Sequence, residues 1–251
     1  MNFENKRVLV TGSTRGVGRV VAERFLSGGA RVAINGRSDD AVARTIEEIG
    51  SGDRLVDAAG DLSSAAACDA VVQRAVSLLG GLDVLVNNAG IYALASVEDS
   101  TEALWDTTMA VNVKSMFFCS RAARTALREG GGVIVNHASN AGLQGFSGCV
   151  IYSASKGAVV NMTRALAMEF APEIRVNCIC PSTLDNEMGW SEFNLKSDPL
   201  AASEAAADGA PLKRLGTSRD AAAAITFLAS DDASFITGIA VPVDGGKAAG
   251  K

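Results

Sequence analysis

The chain has 251 residues, of which 48% are hydrophobic and 20% are charged, a composition that suits one globular domain with a large core. The net charge of −5 and the lack of any Lys and Arg cluster argue against a nucleic-acid-binding surface. The five cysteines include no CxxC pair, and His137 is the only histidine. We therefore expect reduced thiols, no metal site and no Ser-His-Asp hydrolase.

We expect neither a targeting segment nor a membrane span. Residues 1–7 are polar and charged, whereas a signal peptide places an apolar stretch after a basic start. No apolar run approaches the roughly 18 residues that a membrane span needs. We expect a cytoplasmic protein without membrane contact.

Short β-branched, apolar runs alternate with Ala-rich helical stretches along the chain. This rhythm predicts a doubly wound, Rossmann-like α/β fold, with one parallel sheet of about seven strands and helices on both faces. We expect one domain over residues 1–251. The predicted strands are 7–10, 31–34, 54–58, 84–86, 133–136, 175–179 and 239–243. The segment 182–212 mixes large apolar and polar residues and follows a strand end, which predicts a lid.

A glycine-rich turn follows the first predicted strand. It reads Val10-Thr11-Gly12-Ser13-Thr14-Arg15-Gly16-Val17-Gly18 and leads directly into a helical stretch. Glycines let a backbone approach a pyrophosphate, and a helix N-terminus offers free N–H groups. The GxxxGxG spacing differs from the more common GxGxxG, so a turn without a ligand remains an alternative.

Tyr152 and Lys156 lie four residues apart, which places them on one face of a helix. The phenol of tyrosine has a pKa of about 10, and a nearby cation favours its ionised form. The pair therefore predicts a tyrosine that works as an acid and base. An amphipathic pair that covers apolar surface is the alternative.

Taken together, the motifs resemble the classical short-chain dehydrogenase/reductase family over nearly the whole chain. This resemblance implies a Rossmann-type fold and the nicotinamide-dependent interconversion of ketones and alcohols. The matching motifs are Thr11-Gly12-x3-Gly16-x-Gly18, Asp61-Leu62, Asn87-Asn88-Ala89-Gly90, Asn112, Ser139, Tyr152-x3-Lys156, Arg175-Val176-Asn177 and Val243-Asp244-Gly245-Gly246.

The resemblance implies four catalytic residues. Tyr152 is the acid/base, Lys156 is its cationic neighbour and a ligand of the nicotinamide ribose, Ser139 contacts the substrate oxygen, and Asn112 supports the relay. Donors placed at a carbonyl oxygen before hydride transfer stabilise the negative charge that builds there. Two structural alternatives remain, a turn cap for Ser139 and a buried amide for Asn112.

The second predicted strand indicates which cofactor binds. NAD-preferring relatives carry an acidic residue at the position of Gly36, and this chain has no carboxylate there. Arg37 and Arg15 are suited to a 2′-phosphate, so we expect NADP(H). NAD(H) is the alternative, in which both arginines are surface charges. The expected cofactor-binding residues are Gly12, Thr14, Arg15, Gly16, Val17, Gly18, Asn35, Gly36, Arg37, Ser38, Asp61, Leu62, Asn88, Ala89, Gly90, Tyr152, Lys156, Pro181, Ser182, Thr183 and Leu184.

Some of these positions have second interpretations. Asp61 could cap the helix that follows Ser63, and residues 87–90 could stabilise the sheet as well as line the cofactor groove. Relatives show Pro-Gly-x-x-x-Thr after strand six, where this chain has Ser182 and Asn186 in place of the glycine and threonine. Whether Asn186 contacts the nicotinamide amide stays open. His137 is expected to be a hydrogen-bonded groove residue.

Three functions compete. The leading one is an NADP(H)-dependent ketone reductase or alcohol dehydrogenase for a small or medium apolar substrate. The second is a 3-oxoacyl-thioester reductase that docks an acyl carrier protein on Arg121, Arg124 and Arg128, and the third is a nucleotide-sensing interaction protein without catalysis. The expected substrate-contacting residues are Asn140, Gln144, Phe146, Cys149, Met188, Trp190 and Phe193.

The predicted assembly is a homotetramer, with a dimer as the alternative. In relatives, the helices that carry Asn112 and Tyr152 pack against a partner subunit. Here these helices have more apolar residues than one sheet face needs. These residues are Met116, Phe117, Phe118, Val159, Val160, Met162 and Leu166.

Overall fold

The computed structural model describes residues 1–249. Within these residues, seven strands form one sheet in the order β3-β2-β1-β4-β5-β6-β7, and every neighbouring pair is parallel. This topology confirms the predicted doubly wound α/β fold. The strands are β1 (Arg7–Val10), β2 (Arg31–Ile34), β3 (Leu55–Asp57), β4 (Val84–Asn87), β5 (Val133–His137), β6 (Arg175–Pro181) and β7 (Ala240–Val243).

Helices cover both faces of the sheet because side chains alternate between the two faces along each strand. In β1, Val8 and Val10 join the core under the helices at Gly16–Ser27 and Ser218–Ala229, whereas Leu9 joins the core under the helices at Ala65–Leu79, Ser115–Arg128 and Val150–Phe170. No helix within residues 1–249 is both long and apolar enough to cross a membrane. The helices are α1 (Gly16–Ser27), α2 (Asp39–Ile49), α3 (Ala65–Leu79), α4 (Glu102–Met109), α5 (Ser115–Arg128), α6 (Val150–Phe170), α7 (Glu187–Phe193), α8 (Pro199–Asp208) and α9 (Ser218–Ala229).

The bounds of several strands differ from the prediction by one or two residues. Arg54 ends a short 3-10 turn, so β3 begins one residue later than predicted. The amide of Ile239 donates to Asn177 Oδ1 at 3.1 Å, outside the ladder of β7. Strand β6 is longer than predicted because its pairing with β7 continues to Pro181.

Buried amides connect the central strands to the helices that carry the predicted site. Asn87 Nδ2 donates to Asn136 Oδ1 at 2.9 Å and to Ser120 Oγ at 3.0 Å. Asn136 Nδ2 in turn donates to Thr163 Oγ1 at 2.9 Å. Hydrogen-bonded buried polar groups specify one arrangement because each misplaced partner leaves an unpaired group. The network therefore fixes α5 and α6 against the ends of β4 and β5.

The apolar surface predicted for assembly is smaller than expected. Four of its residues, Met116, Val159, Val160 and Leu166, are at most 5% exposed because they pack into the core of the chain itself. On the same part of the molecule, Phe117 is 40% exposed and Trp105 in α4 is 46% exposed. The remaining free apolar surface on α4 and α5 therefore centres on these two aromatic side chains.

Candidate active site

A cleft of about 1390 Å³ lies at the carboxyl ends of the strands, where ligands bind in doubly wound sheets. It runs from the glycine-rich turn to the predicted lid segment. The structure brings most of the predicted site residues together on its wall. They are Gly12, Thr14, Arg15, Gly16, Val17, Asn35, Gly36, Arg37, Ser38, Asp61, Leu62, Asn88, Ala89, Gly90, Ser139, Asn140, Phe146, Cys149, Tyr152, Pro181, Ser182, Thr183, Leu184, Met188 and Phe193.

The glycine-rich turn fits a dinucleotide diphosphate. Gly12 has a φ of 61°, and a Cβ on it would lie 2.9 Å from Ala89 Cα. Helix α1 begins at Gly16, and its N-cap residue Arg15 offers no side-chain cap to the first turn within the described chain. The N–H groups of that turn are therefore available to an anion, whose charge the helix dipole favours.

A hydrogen-bonded chain holds this turn against the centre of the sheet. Asn88 Nδ2 donates to the carbonyls of Thr11 and Gly12, both at 3.0 Å. Because its amide nitrogen is used in this way, its Oδ1 accepts from His137 Nδ1 at 2.9 Å. The Nδ1 of the imidazole therefore carries a proton, and the ring is neutral near neutral pH because burial and the Lys156 charge lower the pKa of His137 to about 3. His137 is thus the hydrogen-bonded groove residue that was expected.

Gly18 supports the cleft from behind, although it was predicted to contact the cofactor. A Cβ at this position would collide with Asn88 Nδ2 and the Gly12 carbonyl. Only glycine therefore lets α1 pack this closely on the turn. Asn35 also holds the turn, since its Oδ1 accepts from the Gly12 amide at 3.0 Å and its Nδ2 donates to the Ala58 carbonyl at 2.9 Å.

The end of the cleft near β2 carries the arginines predicted to choose the cofactor. Arg37 and Arg15 are both exposed. Arg15 pairs with Glu187 of α7 at 2.8 Å across the cleft, and both side chains are 72% exposed. The Asp61 carboxylate accepts from Ser63 Oγ. The N-cap of α3 is Ser64, so the helix-cap interpretation of Asp61 is wrong.

Tyr152 and Lys156 share a helix face in α6, but burial controls their ionisation. Tyr152 is 8% exposed, and burial raises its pKa to about 12 while the neighbouring Ser139 hydroxyl acts to lower it. Lys156 Nζ lies 5.7 Å from the centroid of the Tyr152 ring and donates to the His137 carbonyl at 2.8 Å. Burial lowers the pKa of Lys156 to about 8. The tyrosine pKa is thus raised by desolvation, and the lowering that was expected from the lysine is not seen.

Lys156 lies behind the cleft wall, although it was predicted to touch the cofactor. It is 5% exposed, and a Cβ on Gly90 would lie 3.5 Å from its ammonium nitrogen. Gly90 on the cleft wall therefore separates the ammonium group from the cleft without a side chain between them.

Ser139 both lines the cleft and caps a turn, so its two interpretations are compatible. Its Oγ accepts from the Ala141 amide at 3.1 Å and donates to Asn140 Oδ1 at 3.2 Å. These contacts hold the hydroxyl at the end of β5, beside Tyr152 on the cleft wall.

Asn112 positions the site and does not reach the cleft wall. It lies in a π-helical turn, Ala110–Lys114, between α4 and α5. Its Oδ1 accepts from the Ile91 amide at 2.8 Å, and its Nδ2 donates to the Ile91 carbonyl at 3.0 Å and to Ser155 Oγ at 3.1 Å. The side chain therefore clamps the loop after Gly90 to α6, next to the predicted acid/base.

The substrate end of the cleft differs from the prediction in two residues. Trp190 Nε1 donates to Asp185 Oδ1 at 2.8 Å, which turns the indole away from the cleft. Gln144 lies off the wall, and its Nε2 is buried without a partner among residues 1–249. Asn186 does line the cleft, but its Oδ1 caps α7 by accepting from the Gly189 amide at 3.0 Å. The side-chain oxygen of Asn186 is thus already used as a helix cap.

Among the cleft residues that the sequence interpretation missed, Tyr92 and Glu192 form a hydrogen-bonded pair. The ring of Tyr92 packs edge to face on the ring of Tyr152, with centroids 4.7 Å apart, and its hydroxyl donates to Glu192 Oε2 at 3.1 Å. Their positions, directly after residues 87–90 and within the lid segment, were the only sequence signals that could have indicated them.

Comparison with known proteins agrees with this geometry. Residues 12–248 match the family model described as enoyl-(acyl carrier protein) reductase. An uncharacterized oxidoreductase of Thermotoga maritima is 40% identical, covering 99% of this chain and 100% of that protein. The meso-2,3-butanediol dehydrogenase of Serratia marcescens is 37% identical, covering 99% of this chain and 97% of that enzyme. A solved short-chain dehydrogenase/reductase of Brucella melitensis, described as a glucose/ribitol dehydrogenase, is 35% identical with a TM-score of 0.91, covering 98% of this chain and 99% of that one.

The chain belongs to the short-chain dehydrogenase/reductase family. Members of this family are oxidoreductases that act on CH–OH and C=O groups with a nicotinamide cofactor. In this short-chain dehydrogenase/reductase the glycine-rich turn, the carboxyl edge of the sheet and α6 surround one cleft. The protein is thus an oxidoreductase whose cofactor is NAD(H) or NADP(H).

The neutral imidazole leads to a prediction about stability in acid. Burial and the Lys156 charge lower the pKa of His137 from 6.5 to about 3, so between these pH values the unfolded chain binds a proton that the folded protein does not. The free energy of unfolding should therefore fall by about 1.4 kcal/mol for each pH unit from this group. His137→Gln removes this loss. In urea unfolding from pH 7 to pH 4, the free energy of unfolding of the variant should therefore rise relative to that of the wild type as the pH falls.

The wild type and His137→Gln share every other titrating group, so the same two proteins provide the control. At pH 8 the imidazole is neutral in the folded and unfolded states, so the difference in stability between the two proteins should be constant above that pH. Parallel curves down to pH 4 would contradict the buried neutral imidazole.

Proposed function

We propose that the protein is an NADP(H)-dependent oxidoreductase that interconverts a ketone and a secondary alcohol, with Tyr152 as the acid/base. The observation that carries the proposal is the meeting of Ser139 and Tyr152 on one cleft wall, with Lys156 buried directly behind it. The catalytic group of Tyr152, Ser139 and Lys156, supported by Asn112 as a positioning residue, argues against a nucleotide sensor without catalysis.

When bound, the nicotinamide cofactor donates or accepts a hydride at the carbon that carries the oxygen. The chain holds the substrate oxygen with the hydroxyls of Ser139 and Tyr152, where charge develops during the reaction. Because its pKa is raised to about 12, Tyr152 is a protonated phenol near neutral pH and is ready to donate to that oxygen in ketone reduction. The Lys156 ammonium favours the phenolate that remains, which in alcohol oxidation accepts the proton.

Removal of the tyrosine hydroxyl tests the acid/base assignment. Tyr152→Phe keeps the ring that packs on Tyr92 and removes only the proton donor, so kcat should fall by about 10²–10⁴-fold. The Kd for NADPH, measured by fluorescence titration, should stay within about twofold because the glycine-rich turn is untouched. Turnover close to that of the wild type would refute the assignment.

The proposal of NADP(H) depends on the end of the cleft near β2. Gly36 places no carboxylate there, and Arg37 and Arg15 supply two exposed guanidiniums on the cleft wall. Arg15 already pairs with Glu187. Since exposed ion pairs contribute only about 0–1 kcal/mol, a phosphate with two charges can take the arginine at small cost.

We expect kcat/KM to be at least about tenfold higher with NADPH than with NADH, a difference of about 1.4 kcal/mol. Introducing an acidic residue at Gly36 should reverse this preference, because a carboxylate repels the phosphate and accepts from a 2′-hydroxyl. A Cβ at Gly36 would lie 2.5 Å from Thr14 Cγ2, so room must be made first. The appropriate variant is therefore Thr14→Ser combined with Gly36→Asp.

Thr14→Ser alone is the matched control and should keep the preference for NADPH. The preference of the wild type should also shrink as salt rises, because the arginines are exposed. An unchanged ratio in the double variant would mean that Gly36 does not face the ribose. A wild type that prefers NADH would make both arginines surface charges.

The second candidate, a 3-oxoacyl-thioester reductase, draws support from the family description but not from the proposed docking surface. Each of the three arginines on α5 has a carboxylate partner, so the patch is balanced in charge. The pairs are Arg121–Asp69 at 2.9 Å, Arg124–Glu169 at 3.7 Å and Arg128–Glu173 at 3.5 Å. An anionic carrier would therefore meet a patch without net positive charge, which gives this function less support than the reduction of a small ketone.

We also propose a homotetramer, with a dimer as the alternative, built on the aromatic surface of α4 and α5. Light scattering should give a mass near four chains of 25.8 kDa. Phe117→Asp should lower that mass, since it places a charge in the contact. Val97→Asp is the control, because Val97 is 67% exposed and lies outside these helices. A monomer at micromolar concentration would refute the proposal.

The cytoplasmic location, the treatment of residues 1–251 as one domain and the lid function of residues 182–212 stay predictions from the sequence. The structure describes two helices in that segment, α7 and α8, and α7 supplies Met188, Glu192 and Phe193 to the cleft.

A further inference from the structure

The cleft wall beside Tyr152 holds one polar pair in apolar surroundings. The cluster at this end is formed by residues such as Ala141, Cys149 and Phe146, together with Tyr152 itself. Tyr92 joins the cluster through its ring and extends its hydroxyl to Glu192 of α7. A carboxylate is costly to place beside apolar side chains unless donors satisfy its oxygens.

The Glu192 carboxylate has unused acceptor capacity. Its Oε2 accepts from the Tyr92 hydroxyl at 3.1 Å, while its Oε1 has no side-chain or ion-pair partner in the described part of the chain. The side chain is half-buried and lines the cleft. An ionised carboxylate offers about four lone-pair sites, so a donor on a bound ligand would find an acceptor there.

The other cleft carboxylates have different positions or partners. Glu187 pairs with Arg15, and Asp61 accepts from Ser63 at the opposite end of the cleft. Only Glu192, among the cleft carboxylates of residues 1–249, bonds to a ring that packs on Tyr152. Burial and the Glu192 charge both raise the pKa of Tyr92, so its phenol stays protonated and keeps its donor role toward the carboxylate.

We infer that Tyr92 and Glu192 form a subsite for a hydroxyl group next to the reacting carbonyl, so that the substrates are hydroxy-ketones and the corresponding vicinal diols. This inference rests on the proposed function, because Ser139 and Tyr152 must hold the carbonyl oxygen while the neighbouring hydroxyl donates to Glu192. The apolar substrate expected from the sequence would leave the Oε1 of this carboxylate without a donor from the ligand. An anionic substrate would be repelled.

Matched pairs of ketones test the inference. The pairs are 3-hydroxy-2-butanone with 2-butanone and 2-hydroxycyclohexanone with cyclohexanone, each assayed with NADPH and with NADH. In the wild type, kcat/KM should be at least about tenfold higher for the hydroxy-ketone of each pair, because the plain ketone leaves a polar site unpaired. Glu192→Leu should bring that ratio to within about threefold of unity because the acceptor is gone, and Tyr92→Phe should lower the ratio because the hydroxyl that positions the Glu192 carboxylate is gone.

Glu204→Gln is the control, since Glu204 is an exposed carboxylate of α8 that does not line the cleft, and it should keep the ratio of the wild type. Equal kcat/KM values for both members of each pair in the wild type would overturn the inference while leaving the proposed function in place. Parallel loss of both activities in the variants would also overturn it, because the pair would then only fasten the lid. A wild type that reduces none of the four ketones with either cofactor would overturn the proposed function and the inference together.

Discussion

The hydrogen bonds of Asn88 connect the two halves of the cleft. One side of its carboxamide holds the Thr11 and Gly12 carbonyls, and the other accepts from His137. The His137 carbonyl in turn accepts from Lys156. The turn that suits a diphosphate and the lysine behind the predicted acid/base therefore belong to one hydrogen-bonded network.

Other asparagine side chains pair with free backbone groups at the carboxyl edge of this sheet. Where parallel strands end, backbone N–H and C=O groups lose their ladder partners and must find others. Asparagine amides supply both a donor and an acceptor. Asn35 does so for the Gly12 turn, and Asn112 does so for Ile91. The candidate site therefore lies on backbone that is held by hydrogen bonds, which lowers the entropic cost of ordering the site when ligands bind.

Much of this architecture could be predicted because it depends on local pattern. Apolar runs indicated all seven strands, and the helix period placed Tyr152 and Lys156 on one face. The features that could not be predicted depend on the burial of a side chain or on contacts that only the folded structure creates. The raised pKa of Tyr152 results from burial, the outward turn of Trp190 depends on Asp185, and Tyr92 finds Glu192 across 100 residues of sequence. Asn112 was predicted to support the relay, but its partners Ile91 and Ser155 lie far from it in the sequence.

The π-helical turn at Ala110–Lys114 has a consequence for how this chain tolerates changes in length. A π turn holds one residue more than an α-helical turn over nearly the same span. Loss of one residue here would let α4 and α5 join as a continuous helix with their core-facing sides still in phase. The deletion would remove the widened turn that presents Asn112 to Ile91 and Ser155. A continuous helix could thus form without the contacts of Asn112. The extra residue is therefore needed for the candidate site and not for the fold.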